Sequence, residues 1–222
     1  MRKVDRVCIT LIAVLAGIAI IRFGTPTISA SPTPQEAARV ELSSWLESLR
    51  GDENLSLYGF MDLSELDSVT LGEPYPVFLL SLEELRKYRP NVKVRDVVRD
   101  IQQFDFPLYV NGEARGFLTV EHFEGQWKVV ALGGYPVSRE LQAFQRQSNG
   151  NNQGQEVKLL RVPSIDGTFI LVERVGAEKI ARLGSYPGVM AQTERGREYH
   201  APDVVPQIRK AVEEFIAAQE RR

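Results

Sequence analysis

Three acidic side chains, Asp62, Glu65 and Asp67, fall within one short leucine-rich stretch. Two carboxylates are the minimum equipment for hydrolysing a glycosidic bond, one protonating the leaving group and the other serving as base or nucleophile. A calcium loop would need a denser alternation of Asp and Asn with glycine, which this stretch lacks. Asp96 and Asp100 form a second acidic pair, spaced one helical turn apart. They alternate with Arg95 and Arg99, so they read as an ion-paired, solvated helix face.

The chain has two histidines, His122 and His200, 78 residues apart. His122 alternates with Leu118 and Val120 and belongs to a strand at the margin of a core. His200 stands just before Pro202 in an exposed loop. No HExxH or paired-ligand spacing surrounds either one, so no metal site is expected. Nucleophile elbows, GxGxxG and Walker sequences are likewise absent from the sequence. Asn54-Leu-Ser56 matches a glycosylation sequon, relevant only in a glycosylating host. The aromatic candidates are Tyr75, Tyr135 and Tyr186, each followed by proline, together with Trp127. They could line a groove for an extended peptide or glycan, or simply cover the ends of a sheet.

The chain of 222 residues amounts to one large domain or two small ones, with hydrophobic (43%) and charged (25%) fractions in the globular range. A net charge of −2 argues against nucleic acid as a partner, since neutralising phosphates needs a basic excess. The single cysteine, Cys8, rules out a disulfide scaffold. Arg2, Lys3 and Arg6 precede an uncharged run from Val7 to Ile21, followed by a polar segment ending at Ala30. This is the anatomy of a secretory signal, with cleavage expected after Ala30. The alternative is an uncleaved anchor formed by residues 7–21, with Arg22 snorkelling to the interface. Either outcome puts the remaining chain, with a net charge of −5, outside the cytoplasm.

The candidate residues depend on elements that the pattern outlines. Thr33-Pro34 with Glu36 forms a capping box opening a helix, whose buried face is Ala38, Leu42, Trp45, Leu46 and Leu49. Tyr75–Leu80 reads as a short strand, and Ser81 with Glu84 opens a second helix. Val94, Val97, Val98 and Ile101 suggest a third. Residues 106–110, 116–122 and 126–132 then alternate as strands, joined by Asn111-Gly112 and Glu124-Gly125. A helix capped by Ser138 follows. Residues 148–155 are polar and of low complexity and read as a linker. Beyond them, 157–162, 168–174 and 178–183 are strands, and Asp203 caps a last helix with Val205, Ile208, Val212, Phe215 and Ile216 inside.

The expected fold is therefore α+β, with antiparallel hairpins packed against helices in two βββα-type blocks behind an N-terminal signal or anchor helix. The segments are 1–30 (signal or anchor), 31–147 (α+β domain), 148–155 (linker) and 156–222 (second block, packed on the first or separate). Phe117–Pro136 aligns with Phe169–Pro187, giving nine identities over nineteen pairs with one gap. This fits either a shared hairpin geometry or an internal duplication.

The phrases Leu71-Gly-Glu-Pro-Tyr-Pro-Val77, Phe106-Pro-Leu-Tyr-Val-Asn-Gly112 and Gly125-Gln-Trp-Lys-Val-Val130 resemble those of uncharacterised exported bacterial proteins. That resemblance covers about residues 55–145 and implies no activity or functional residues. Helices laid on hairpins are also similar, at fold level, to cystatin-like and PepSY-like domains, some of which are protease propeptides or inhibitors. The expected function is a non-enzymatic, extracytoplasmic module binding a protein or peptide partner, at an exposed sheet edge. The alternatives are a secreted hydrolase using Asp62, Glu65 and Asp67, or a carrier of a small hydrophobic ligand held between sheet and helix. No cofactor is expected. Membrane contact is expected only through the N-terminal segment, if it is retained.

Overall fold

The computed structural model describes residues 32–148, 155–174, 176–184 and 194–221. The proposed signal or anchor, most of the polar linker, and Tyr186 lie outside the described residues. The remainder is α+β, with four helices laid on one mixed sheet of nine strands among the described residues.

Helix α1 (Pro34–Leu49) starts as expected: Thr33 and Glu36 exchange capping-box hydrogen bonds, and Pro34 occupies the first turn. Strands β1 (Thr70–Leu71) and β2 (Tyr75–Leu79) follow, and then α2 (Leu82–Lys87), whose capping box is Ser81 with Glu84. The first meander is β3 (Arg99–Val110), β4 (Glu113–Phe123) and β5 (Gln126–Gly133), and it leads into α3 (Tyr135–Ser148). The second is β6 (Glu156–Val162), β7 (Gly167–Arg174), β8 (Ala177–Leu183) and β9 (Glu198–His200), ending in α4 (Ala201–Gln219).

The order across the sheet is β5-β4-β3-β2-β6-β7-β8-β9, with β1 also paired to β3. Both blocks thus belong to one sheet, and β2 is the seam between them. It is antiparallel to β3 and parallel to β6. The parallel ladder begins at Val77, so Pro76 sits just before it, where a missing N–H costs no rung.

Alternation sorts the core onto two faces. On one face α1 covers Phe106, Leu108, Leu118 and Val120, while α2 and α4 cover Leu160, Phe169, Leu171 and Ile180. On the other, Leu141 and Phe144 of α3 pack on Val77, Phe117, Leu159, Ile170 and Leu183. The aligned phenylalanines, Phe117 and Phe169, therefore each face the helix that follows their own meander, and those two helices lie on opposite faces of the sheet.

Several local expectations are corrected. Residues 94–101 do not form a helix. Val94–Asp96 is a single 3₁₀ turn, and the chain is already extended in β3 by Arg99, paired with Leu79. Branched Val97 and Val98 suit the exit from that turn better than a helix. Helix α3 begins at Tyr135, so Ser138 lies within its first turn and its hydroxyl donates to the Tyr135 carbonyl at 2.9 Å. Helix α4 begins at Ala201, ahead of Asp203, and Phe215 is 42% exposed, outside the buried face.

Candidate functional site

The acidic stretch lies in two 3₁₀ turns, Leu55–Tyr58 and Leu63–Ser68. Asp62 caps the second, accepting from the Ser64 amide (2.8 Å), the Ser64 hydroxyl (2.5 Å) and the Glu65 amide (3.2 Å). Those donors, Ser64 foremost, hold its carboxyl below the ordinary value, the opposite of what a general acid needs. Glu65 accepts from the Met61 amide at 2.8 Å and from Arg115 at 2.6 Å, with both partners of the ion pair only 12% exposed at the side chain. Asp67 pairs with Arg50. The three carboxylates are thus engaged by three different partners and brace the loop. Phe60 and Leu66 anchor it in the core under α1, and Gly59 fits because a Cβ there would lie 1.9 Å from the Arg115 carbonyl. The braced loop leaves Leu57 (74% exposed), Met61 (73%) and Leu63 (47%) facing solvent.

The described aromatic candidates, Tyr75, Tyr135 and Trp127, do not share a groove. Tyr75 is buried against α3, where Gln145 donates to its hydroxyl and burial raises its pKa. Tyr135 opens α3, and Arg139 lies 5.6 Å over its ring while bonding its hydroxyl at 3.0 Å. Trp127 belongs to the opposite face, packed against the cluster under α1. The residues that join it there are ones sequence reasoning passed over or treated as structural. Its ring meets Phe104 edge-on at 5.4 Å and His122 at 4.9 Å.

A backbone irregularity adjoins this cluster. The β2–β3 register passes from Val77↔Gln103 to Phe78↔Asp100, so Ile101 and Gln102 bulge out of the ladder. Gln102 takes φ +51, in the left-handed region. The other non-glycine residues described there, Asn111, Glu124 and Asp166, all precede a glycine in a turn, and only Gln102 lies within a strand. The Asp100 carboxylate holds the Gln102 amide at 2.8 Å, and the Gln102 side-chain oxygen lies 3.1 Å from His122 Nδ1. The one sequence signal was a broken period over 94–101, where helix and strand patterns overlap.

His200 is separated from His122 by five intervening strands, about 29 Å at ordinary strand spacing, so the two cannot share an ion. Among the described residues no group of three or more His, Cys, Asp or Glu is placed to hold a metal. His200 borders a cleft of about 240 Å³ together with Lys93, Arg95, Glu173 and Glu178. There Glu178 accepts from the Val94 and Arg95 amides at 2.5 and 3.1 Å, and Arg95 pairs with Glu173 at 3.1 Å, so the cleft's carboxylates are already partnered. Compared with known proteins, the chain matches no family model, no curated protein and no solved structure.

Proposed function

We propose that this chain is a non-enzymatic, extracytoplasmic binding module for a protein or peptide partner, docking through the braced loop at residues 55–68. The observation that carries this reading is the outward display of Leu57, Met61 and Leu63 on a segment whose every acidic side chain is tied down. Exposed apolar side chains held in one geometry lose little conformational entropy on docking, so more of their burial appears as affinity. The signal-like N-terminus supports placement outside the cytoplasm, as a secreted or tethered protein. No helix among the described residues is long and apolar enough to cross a membrane. The free edge of β5 is the poorer docking place. Glu41 of α1 lies 3.4 Å from the Val129 amide on that strand, and a register shift opposite Thr119 and Val120 interrupts its ladder.

A photo-crosslinking residue at Met61, installed in the protein in its own host's envelope, tests this. One discrete protein adduct is expected there and none from Val40, equally exposed at 78% on α1. Replacing Leu57, Met61 and Leu63 together by serine should remove the partner from native mass spectra while leaving the urea midpoint unchanged. Equal adducts from both positions, or none from Met61, would sink the reading.

A further inference from the structure

Gln102 is a long, polar, Cβ-bearing residue held in a backbone conformation that glycine would adopt without strain. Strain of this kind persists where the surroundings over-determine it and the re-aimed side chain has a use. Here the bulge brings Gln102 across the ladder from His122, since Gln103 pairs with Glu121 in β4. With the Gln102 side-chain oxygen accepting, Nδ1 of His122 donates, and Nε2 is the ring nitrogen left to a ligand. Among the described residues, His122 Nε2 and the Gln102 NH₂ group make no hydrogen bond. The result is one oriented ring nitrogen and one oriented amide donor beside the partly exposed rings of Trp127 and Phe104.

The chemistry of this shelf is selective. The polar groups offered are an imidazole and a carboxamide, and the Asp100 carboxylate is occupied by the Gln102 backbone amide. β4, which carries His122, is already paired on both sides, with β3 and β5, so a peptide adding as a strand would lie along the β5 edge and not across the shelf. A ligand with an apolar C–H face and hydroxyls around its rim meets both halves of the shelf, ring face against indole and hydroxyls against imidazole and amide. We infer that Gln102, Phe104, His122 and Trp127 form a binding platform for a neutral saccharide.

This site is independent of the docking loop. The loop touches β4 at Arg115 and Gly116, whereas the platform lies at His122, about 20 Å further along the strand.

Intrinsic fluorescence of the full chain, in a Trp45→Phe background that leaves Trp127 as the sole indole, reads the platform directly. The probes are chitotetraose, cellotetraose, maltotetraose and xylotetraose. At least one should give a saturable change. Gln102→Gly, which relieves the backbone strain and so folds at least as well, should weaken it roughly tenfold, as should His122→Phe. The inference is overturned if none of the four sugars gives a saturable response, or if the response survives both substitutions unchanged. It is overturned equally if an alanine-rich peptide saturates the signal and no sugar does.

Discussion

Glu65 and Arg115 are ordinary surface residue types placed in an unusual position, an ion pair with both side chains 12% exposed. Glu65→Gln would leave the guanidinium without its counter-charge and loosen the Met61 amide, so a loss of about 3 kcal/mol in urea unfolding is expected. A catalytic carboxylate would behave in the opposite way, since its amide variant keeps or gains stability. Gln102→Gly is the mirror case. It removes a left-handed penalty of about 1 kcal/mol, partly offset by the greater freedom of glycine in the unfolded chain, so the urea midpoint should stay or rise. At this scale the sequence misleads for a definable reason. Residue type and spacing put Asp62, Glu65 and Asp67 together, but Glu65 and Asp67 are drawn apart by Arg115 and Arg50, distant in the chain, while Asp62 turns back onto the Ser64 and Glu65 amides. The recurring Tyr-Pro phrase shows the same limit. Tyr75-Pro76 is strand and Tyr135-Pro136 opens a helix, because proline is tolerated both at a ladder's start and in a helix's first turn.

Elements whose signals are local were legible, and α2 is the sharpest instance. Ser81 and Glu84 exchange the capping-box bonds that their spacing implies, and Glu84 is only 6% exposed. Burial pushes the Glu84 carboxyl up. The Ser81 hydroxyl, the amides of Glu84 and Ser81, and nearby Arg99 outweigh it, so the carboxyl ends below its ordinary value. A carboxyl whose folded pKa is depressed adds stability above its unfolded pKa and loses it as pH falls through the folded one. Acid titration of stability should therefore be shallower in Glu84→Gln than in the wild type below about pH 4.5, with the two parallel at neutral pH. Ser81→Ala should cost about 1 kcal/mol at neutral pH and, by removing the foremost donor that depresses the Glu84 carboxyl, should also flatten the acid limb. Both follow from urea unfolding across a pH series. What local signals could not show is the start of β3. Arg99 and Asp100 are extended because Leu79 and Phe78 of β2 pair with them, and that pairing depends on a bulge that no turn or cap announces. The parallel contact between β2 and β6 is likewise non-local, joining residues some eighty positions apart.

The two blocks become one body through β2 and a polar stitch that crosses it. Asp105 on β3, 1% exposed, accepts from Thr119 of β4 at 2.8 Å and from Arg161 of β6 at 2.6 Å. Because β2 lies between β3 and β6, the Asp105–Arg161 pair spans the seam, adding to the parallel rungs at Val77, Phe78 and Leu79. Helix α3 covers the same seam from its own face, resting on Phe117 of the first meander and on Ile170 and Leu183 of the second. Two meanders sharing a central strand, an ion pair and a helix have no plane along which to part without exposing apolar core, so they should unfold together. Both tryptophans, Trp45 and Trp127, belong to the first half, whereas far-ultraviolet circular dichroism sees all the helices and strands. In the wild type the two signals should trace one urea transition with a common midpoint. Asp105→Ala removes the buried acceptor of both Thr119 and the 42% exposed Arg161 and should lower stability by about 2 kcal/mol. By weakening the seam and, through the lost Thr119 contact, the first half but not the second, it should also draw the two transitions apart. A variant whose midpoint drops while both signals still coincide would mean that β2 and α3 alone couple the halves, and a wild type with separate transitions would mean that the shared sheet does not make the blocks one cooperative unit.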